Sequence, residues 1–221
     1  TTAEITAASG NQPPVADHYD RLAAIYDLFL EPLVRRIRRD MRAWILNQEP
    51  QAVLDVCCGT GKQLTYFPDD FPIWGVDLSS AMLSQARRQT HRRCVQGDAT
   101  RLPFPDRKFD LVLSQFALHE KDRPTLEAEL IDIARVLRPD GRLTVLDFAE
   151  PPDRRFLTRL LRGGIRQIER RAGDEHFVNY QDWMSRGGLA QVLPDLGWSP
   201  EAHRRYYRGN LAWMVFRKPK S

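Results

Sequence analysis

The clearest chemical signal in the sequence is a pair of glycines flanked by two acids. Asp55, Val56, Cys57, Cys58, Gly59, Thr60 and Gly61 run consecutively, and Asp77 follows sixteen residues after Gly61. Glycines in such a turn let a bound group approach the backbone with no Cβ in the way. N–H groups at the start of a following helix can then meet carboxylate or phosphate oxygens. A carboxylate at position 77, closing the apolar run 72–77, can accept hydrogen bonds from both hydroxyls of a ribose. Bonds to a charged acceptor contribute about 1.5–3 kcal/mol each. The combination describes a nucleoside site. A phosphate-cradling P-loop requires GxxxxGK followed by Ser or Thr. Gly61 and Lys62 are present, but Val56 stands where the first glycine belongs and Gln63 replaces the hydroxyl. The dinucleotide fingerprint GxGxxG needs a third glycine where this chain has Leu64.

Such a turn has to be held by strands and helices in a particular order. Apolar runs at 52–56, 72–77, 92–96, 109–114 and 142–148 read as strands, several of them apolar enough to be buried on both faces. A helix is expected after the glycine turn. Ser79 is a helix cap for 81–89, and Asp122 caps 122–137, with Pro124 at its start. Arg138-Pro139-Asp140-Gly141 has the residue types of a turn. Alternating strands and helices predict a parallel sheet covered on both faces. Segments 199–207 and 211–218 read as strands joined by so short a link that they must be antiparallel. Residues 189–196 are helical and stopped by Gly197. Before the sheet, 15–47 has helical periodicity. Tyr19, Leu22, Ala23, Tyr26 and Phe29 share one face; after Pro32, Leu33, Ile37, Met41, Trp44 and Ile45 point inward.

Val53 to Gly61 resembles motif I of class I methyltransferases that use S-adenosylmethionine (SAM). It is especially similar to the version in ubiquinone- and menaquinone-biosynthesis C-methyltransferases and their relatives. Further segments fall in the order of that family: Gly75-Val76-Asp77-Leu78-Ser79, Gly97-Asp98-Ala99, the run from Phe109 to His119, and Leu137-Arg138-Pro139-Asp140-Gly141. His18, Tyr19, Asp20 and Arg21, with Tyr26 and Asp27, resemble its N-terminal helix. The resemblance covers 18 to about 150. One departure is Cys57, where the family usually has the first glycine of GxGxG.

The resemblance implies a doubly wound, Rossmann-like sheet of seven strands, mostly parallel, ending in an antiparallel hairpin. It implies a tail and helical lid over 1–50, a core over 51–221, and a helical substrate-lid insertion at about 151–188. SAM would be bound, and S-adenosylhomocysteine released, by Asp55, Cys57, Gly59, Thr60, Gly61, Asp77, Leu78, Asp98, Ala99 and Ser114. Tyr19 and Tyr26, seven apart and so on one helical face, would close over it. Quinol-type C-methylation of a small lipophilic acceptor is favoured. The alternatives are N- or O-methylation of an amine, phospholipid head group or metabolite, and SAM binding without catalysis.

His119, just past the fourth strand and expected at the mouth of the cleft, is the candidate proton acceptor, since its ordinary pKa is near neutral. Gln115, His176 and Tyr180 are the candidate acceptor contacts. Residues 154–171 place Phe156, Leu157, Leu160, Leu161, Ile165 and Ile168 on one side and arginines elsewhere, with Gly163 and Gly164 weakening a single rigid helix. Such a segment suits either a lid or contact with an anionic membrane surface.

Composition narrows the classes further. The chain has 221 residues, 28% charged, with a net charge of +4 spread over scattered, mostly arginine, basic residues. Without a basic stripe interleaved with aromatics, no nucleic-acid partner is expected. Three cysteines without CxxC spacing, and histidines without HxxxH spacing, lead to no expected metal and to a reducing cytoplasm. No leader or membrane-spanning run is apparent.

Overall fold

The computed structural model describes residues 32, 34–153 and 155–219. Tyr19 and Tyr26, with the other expectations for the first helix, lie outside the described residues. Helix α1 covers 34–46 and turns Val34, Ile37, Met41 and Ile45 inward at the three- and four-residue spacing of one helical face.

Seven strands follow: β1 (Val53–Val56), β2 (Ile73–Asp77), β3 (Arg93–Gln96), β4 (Phe109–Gln115), β5 (Leu137–Phe148), β6 (Ser199–Tyr206) and β7 (Leu211–Arg217). They form one sheet in the order β3-β2-β1-β4-β5-β7-β6. β1 to β5 pair in parallel, whereas β7 runs antiparallel to both β5 and β6. β1 and all of β7 except Arg217 are buried, which explains why they read as unbroken apolar runs. The helices are α2 (Ser80–Gln89), α3 (Arg123–Val136), α4 (Phe156–Arg171), α5 (Asp174–Ser185) and α6 (Leu189–Asp195). Ser79 accepts a hydrogen bond from the Met82 N–H, and Asp122 from the Thr125 N–H, as capping residues do. Gly197, at φ +85°, follows α6.

In three places the structure departs from expectation. The helix expected after the glycine turn is only a 3-10 turn, Leu64–Tyr66. Phe67 precedes Pro68, whose ring disfavours helical backbone in the residue before it, and Phe67 is extended at φ −93°, ψ 154°. Arg138 to Gly141 do not separate α3 from β5 but bulge within β5. Leu137 pairs with Phe109, and the ladder resumes only at Arg142 opposite Leu111. Arg138 Nη1 reaches Asp110 Oδ1 at 2.5 Å, tying the bulge to β4. Finally, α4 runs unbroken through Gly163 and Gly164. α5 packs on α4 and on the 3-10 turn Leu118–Glu120.

The strand order reverses at β1, whose neighbours are β2 and β4. Open sheets of this class bind ligands outside the carboxyl ends of the strands at such a point.

Candidate active site

Val56 of β1 pairs with Ser114 of β4, so the two strands deliver their ends side by side. The chain then turns through left-handed backbone at Cys57 (φ +56°), Gly59 (φ +53°) and Gly61 (φ +73°). The two glycines serve different ends. A Cβ on Gly59 would meet no atom of the described residues within 4 Å, so among them the space beside it is open. A Cβ on Gly61 would stand 3.0 Å from Ala86 Cβ, so this glycine lets the turn pack against α2. Cys57 is half-buried at the position where a glycine is usual, and it holds a conformation that costs a side-chain-bearing residue about 1–2 kcal/mol. Cys58 is buried over Gly75, and Cys57, Cys58 and Cys94 are all free thiols.

Asp77 fixes the turn from β2. Its Oδ2 accepts the Gly59 N–H at 2.7 Å and its Oδ1 the Ser79 N–H at 2.9 Å. A carboxylate has about four lone-pair sites, so acceptor capacity remains for a ribose. Asp55 is buried, and burial pushes its carboxyl up to about 8 although Arg38 pulls the other way. Ser114 is fully buried, and its hydroxyl has no hydrogen-bond partner among the described residues. Thr60 is buried, and Leu78 is exposed with its carbonyl accepting from Gln96 Nε2. Asp98 is exposed and accepts from the N–H and hydroxyl of Thr100 through Oδ1; Ala99 packs against the core. Among the described residues, open space at Gly59, a buried acid at Asp55 that a cation would relieve, and a Ser114 hydroxyl without a partner fit an adenosyl group carrying an ammonium.

Beyond β4, His119 is not at an open mouth. It is 3% exposed and lies between two carboxylates. Its Nδ1 is 2.8 Å from Asp147 Oδ1, in close charge contact rather than an aligned hydrogen bond, and its Nε2 is 3.3 Å from Glu169 Oε2. Glu169 Oε2 also meets His176 Nε2 at 2.5 Å, and His176 Nδ1 lies 3.5 Å from Glu120 Oε2. Burial disfavours the imidazolium of His119, but Asp147 and Glu169 outweigh it and hold its pKa up to about 10. Burial likewise opposes charge on Glu169, yet His119 and His176 bring its carboxyl down to about 2. Among the described residues, His119, Glu169 and His176 each bring one nitrogen or oxygen within 4.8 Å of the others.

Glu169 also belongs to the wall of an apolar cavity of about 160 Å³. Phe116, Phe148, Ile165, Ile168 and Tyr207 supply most of the rest, off the carboxyl ends of β4 and β5. Phe116 holds a left-handed φ of +52°, strain for a bulky residue and of the kind found where a side chain is aimed into a site. Of the expected acceptor contacts, His176 is in the histidine cluster. Tyr180 is buried edge-on to Phe148 and does not line this cavity. Gln115 Oε1 accepts from Arg38 Nη1 at 3.1 Å, and the same guanidinium nitrogen meets Gln63.

Sequence reasoning missed Asp147, Glu169, Glu120 and Arg38. Asp147 could have been found, because a lone acid ending an apolar strand is the feature that singled out Asp77. Glu169 carries no such mark, since its partners come from other elements.

A family model described as a methyltransferase domain matches residues 53–141. A demethylmenaquinone methyltransferase of Beutenbergia cavernae is 33% identical over 218 residues, covering 92% of this chain and 88% of that protein. The protein of the same name from Renibacterium salmoninarum is 31% identical, covering 90% of this chain and 89% of its own length. Among solved structures, a SAM-dependent methyltransferase of Thermotoga maritima superposes with a TM-score of 0.62 at 19% identity, over 91% of this chain and 98% of its own, and so speaks for the fold.

Proposed function

Because the chain belongs to the SAM-dependent methyltransferase family, we propose that it methylates a small lipophilic acceptor of quinol type on carbon. The observation that carries this reading is the apolar cavity whose described lining includes one buried carboxylate, Glu169. At about 160 Å³ it is close to the ~150 Å³ apolar cavity known to admit benzene, so it suits one aromatic ring. The relatives at 33% and 31% identity are named for a quinone-precursor acceptor, which supports the same class.

SAM supplies the methyl group as an activated sulfonium. The chain's task is to hold the acceptor carbon in line with it, and positioning of this kind can lower a barrier by several kcal/mol. Asp77, with Leu78, is assigned to the ribose, Asp98 and Ala99 to the adenine, and Asp55 to the ammonium. Cys57, Gly59, Thr60, Gly61 and Ser114 line the space between them; Tyr19 and Tyr26 are assigned to the cover. An acceptor hydroxyl is assigned to Glu169. Both nitrogens of His119 already face carboxylates, so its proposed role is to position Glu169 rather than to touch the acceptor.

Helix α4 leaves Phe156, Leu157 and Leu160 exposed among arginines, which supports drawing a lipophilic acceptor from an anionic membrane surface. No helix among the described residues is long and apolar enough to cross a membrane.

The test is incubation with SAM and a short-chain demethylnaphthoquinol, with products read by mass spectrometry. Ring C-methylation is expected. Methyl transfer only to oxygen or nitrogen of other metabolites would replace the quinol assignment. Tight SAM binding without transfer across a broad acceptor panel would replace the enzymatic one.

A further inference from the structure

We infer that His119, His176 and Glu169 form a binding site for a divalent first-row transition-metal ion. One ligand atom from each residue lies within 4.8 Å of the others. Zinc bonds to imidazole nitrogen and carboxylate oxygen measure about 2.0–2.2 Å, which sets ligand atoms around a tetrahedral ion ~3.3 Å apart. His119 Nε2 and Glu169 Oε2 already stand 3.3 Å apart. His176 Nε2, at 2.5 Å from the same oxygen, has only to withdraw by less than about 1 Å to reach that spacing. It sits near the start of α5, just after Gly173, and is 13% exposed, so it is the most movable of the three.

The orientation of the rings is the second observation. Each imidazole turns one nitrogen inward to Glu169 and the other outward to a further carboxylate. For His119 the outer partner is Asp147, at 2.8 Å; for His176 it is Glu120, at 3.5 Å. Metal-bound histidines sit between an ion and an outer carboxylate in this way. The surrounding carboxylates favour the protonated rings here, so each imidazole gives up its inner proton to solvent as the ion binds. Two imidazoles and one carboxylate make three protein ligands, the number used by zinc or ferrous sites that carry out chemistry, rather than the four of closed structural sites. Glu169 also borders the apolar cavity, so an ion bound to it would adjoin an oxygen of the acceptor. That last link rests on the proposed acceptor; the metal site itself does not.

The experiment is Zn²⁺ titration of chelator-stripped, tag-free protein, with metal content measured after desalting and Co²⁺ substitution followed by absorption. One ion per chain is expected, with Co²⁺ giving visible d–d bands and no thiolate charge-transfer band. Glu169→Gln and His176→Ala should each weaken Zn²⁺ binding at least tenfold, and Asp147→Asn by ~10–100-fold. Binding of S-adenosylhomocysteine by each variant reports that it is folded, and separates failure of this site from failure of the methyltransferase reading. Should Glu169→Gln not fold, His176→Ala at the edge of the cluster carries the test. No stoichiometric ion at micromolar Zn²⁺, unchanged affinity in the folded variants, or a thiolate band assigning the ion to cysteine would overturn the inference.

Discussion

Replacing Cys57 by glycine should make the protein more stable than replacing it by alanine, the reverse of the usual order. At φ +56° the residue is in the left-handed region, and its neighbour across the turn, Gly59, is held there by Asp77. A side chain in that conformation costs about 1–2 kcal/mol, which glycine recovers. Against this, glycine carries about 0.5–1 kcal/mol more conformational entropy in the unfolded chain. The balance is about 1 kcal/mol in favour of glycine. For a chain of this length that corresponds to roughly 2–4 °C in melting temperature. Alanine keeps the strain and loses the contacts of a half-buried sulfur, so Cys57→Ala should fall below the starting protein. Thermal and urea unfolding of the three proteins, followed by circular dichroism, measures the order. A glycine variant no more stable than the alanine variant would refute the claim that the turn stores strain at this position.

Gly59→Ala and Gly61→Ala should fail differently. Both glycines hold positive φ, so each alanine costs about 1–2 kcal/mol of backbone strain. Beyond that shared cost, the first adds a Cβ that meets no atom of the described residues within 4 Å and should act mainly on S-adenosylhomocysteine binding, whereas the second puts a Cβ 3.0 Å from Ala86 and should lower fold stability by about a further 1–3 kcal/mol. Comparing calorimetric affinity with melting temperature in both variants separates the two roles. Asp55 should make stability fall as pH rises: burial lifts its folded pKa from an ordinary 3.8 to about 8, so between those values the folded state holds the extra proton. Relative to the starting protein, Asp55→Asn should flatten melting temperature against pH over that window; parallel curves would count against the assignment. In the same window, affinity for a ligand carrying an ammonium at Asp55 should rise with pH and release a proton, which calorimetry in buffers of different ionisation enthalpy detects.

Much of the frame is written locally. β1 and β4 are near-continuous apolar runs because both faces are covered, and Ser79 and Asp122 mark helix starts because their side chains satisfy N–H groups that follow them. The hairpin of β6 and β7 follows from the shortness of its link. What could not be read locally turns on competition between signals. The residues after Gly61 look helical until the constraint of Pro68 on Phe67 is given its due. Arg138 to Gly141 have turn chemistry, but Leu137 pairs with Phe109 before them, so the turn becomes a bulge. The histidine cluster was least legible. His119 could be singled out, but not that it would be buried, because Glu169 and His176 reach it from helices packed about fifty residues further along the chain. A spacing rule such as HxxxH detects ligands on one helix and is blind to a site assembled from several elements.

The account stands or falls on the nucleoside site at the ends of β1 and β2, and isothermal titration with SAM and S-adenosylhomocysteine tests it most directly. Each ligand should bind one per chain. Asp77→Ala, which removes the acceptor of both the Gly59 and Ser79 N–H groups and of both ribose hydroxyls, should weaken binding at least ~100-fold, since each of the two hydrogen bonds from the ribose to the carboxylate is worth about 1.5–3 kcal/mol. Absence of binding by the folded starting protein, or equal affinity in the folded Asp77→Ala variant, would contradict it.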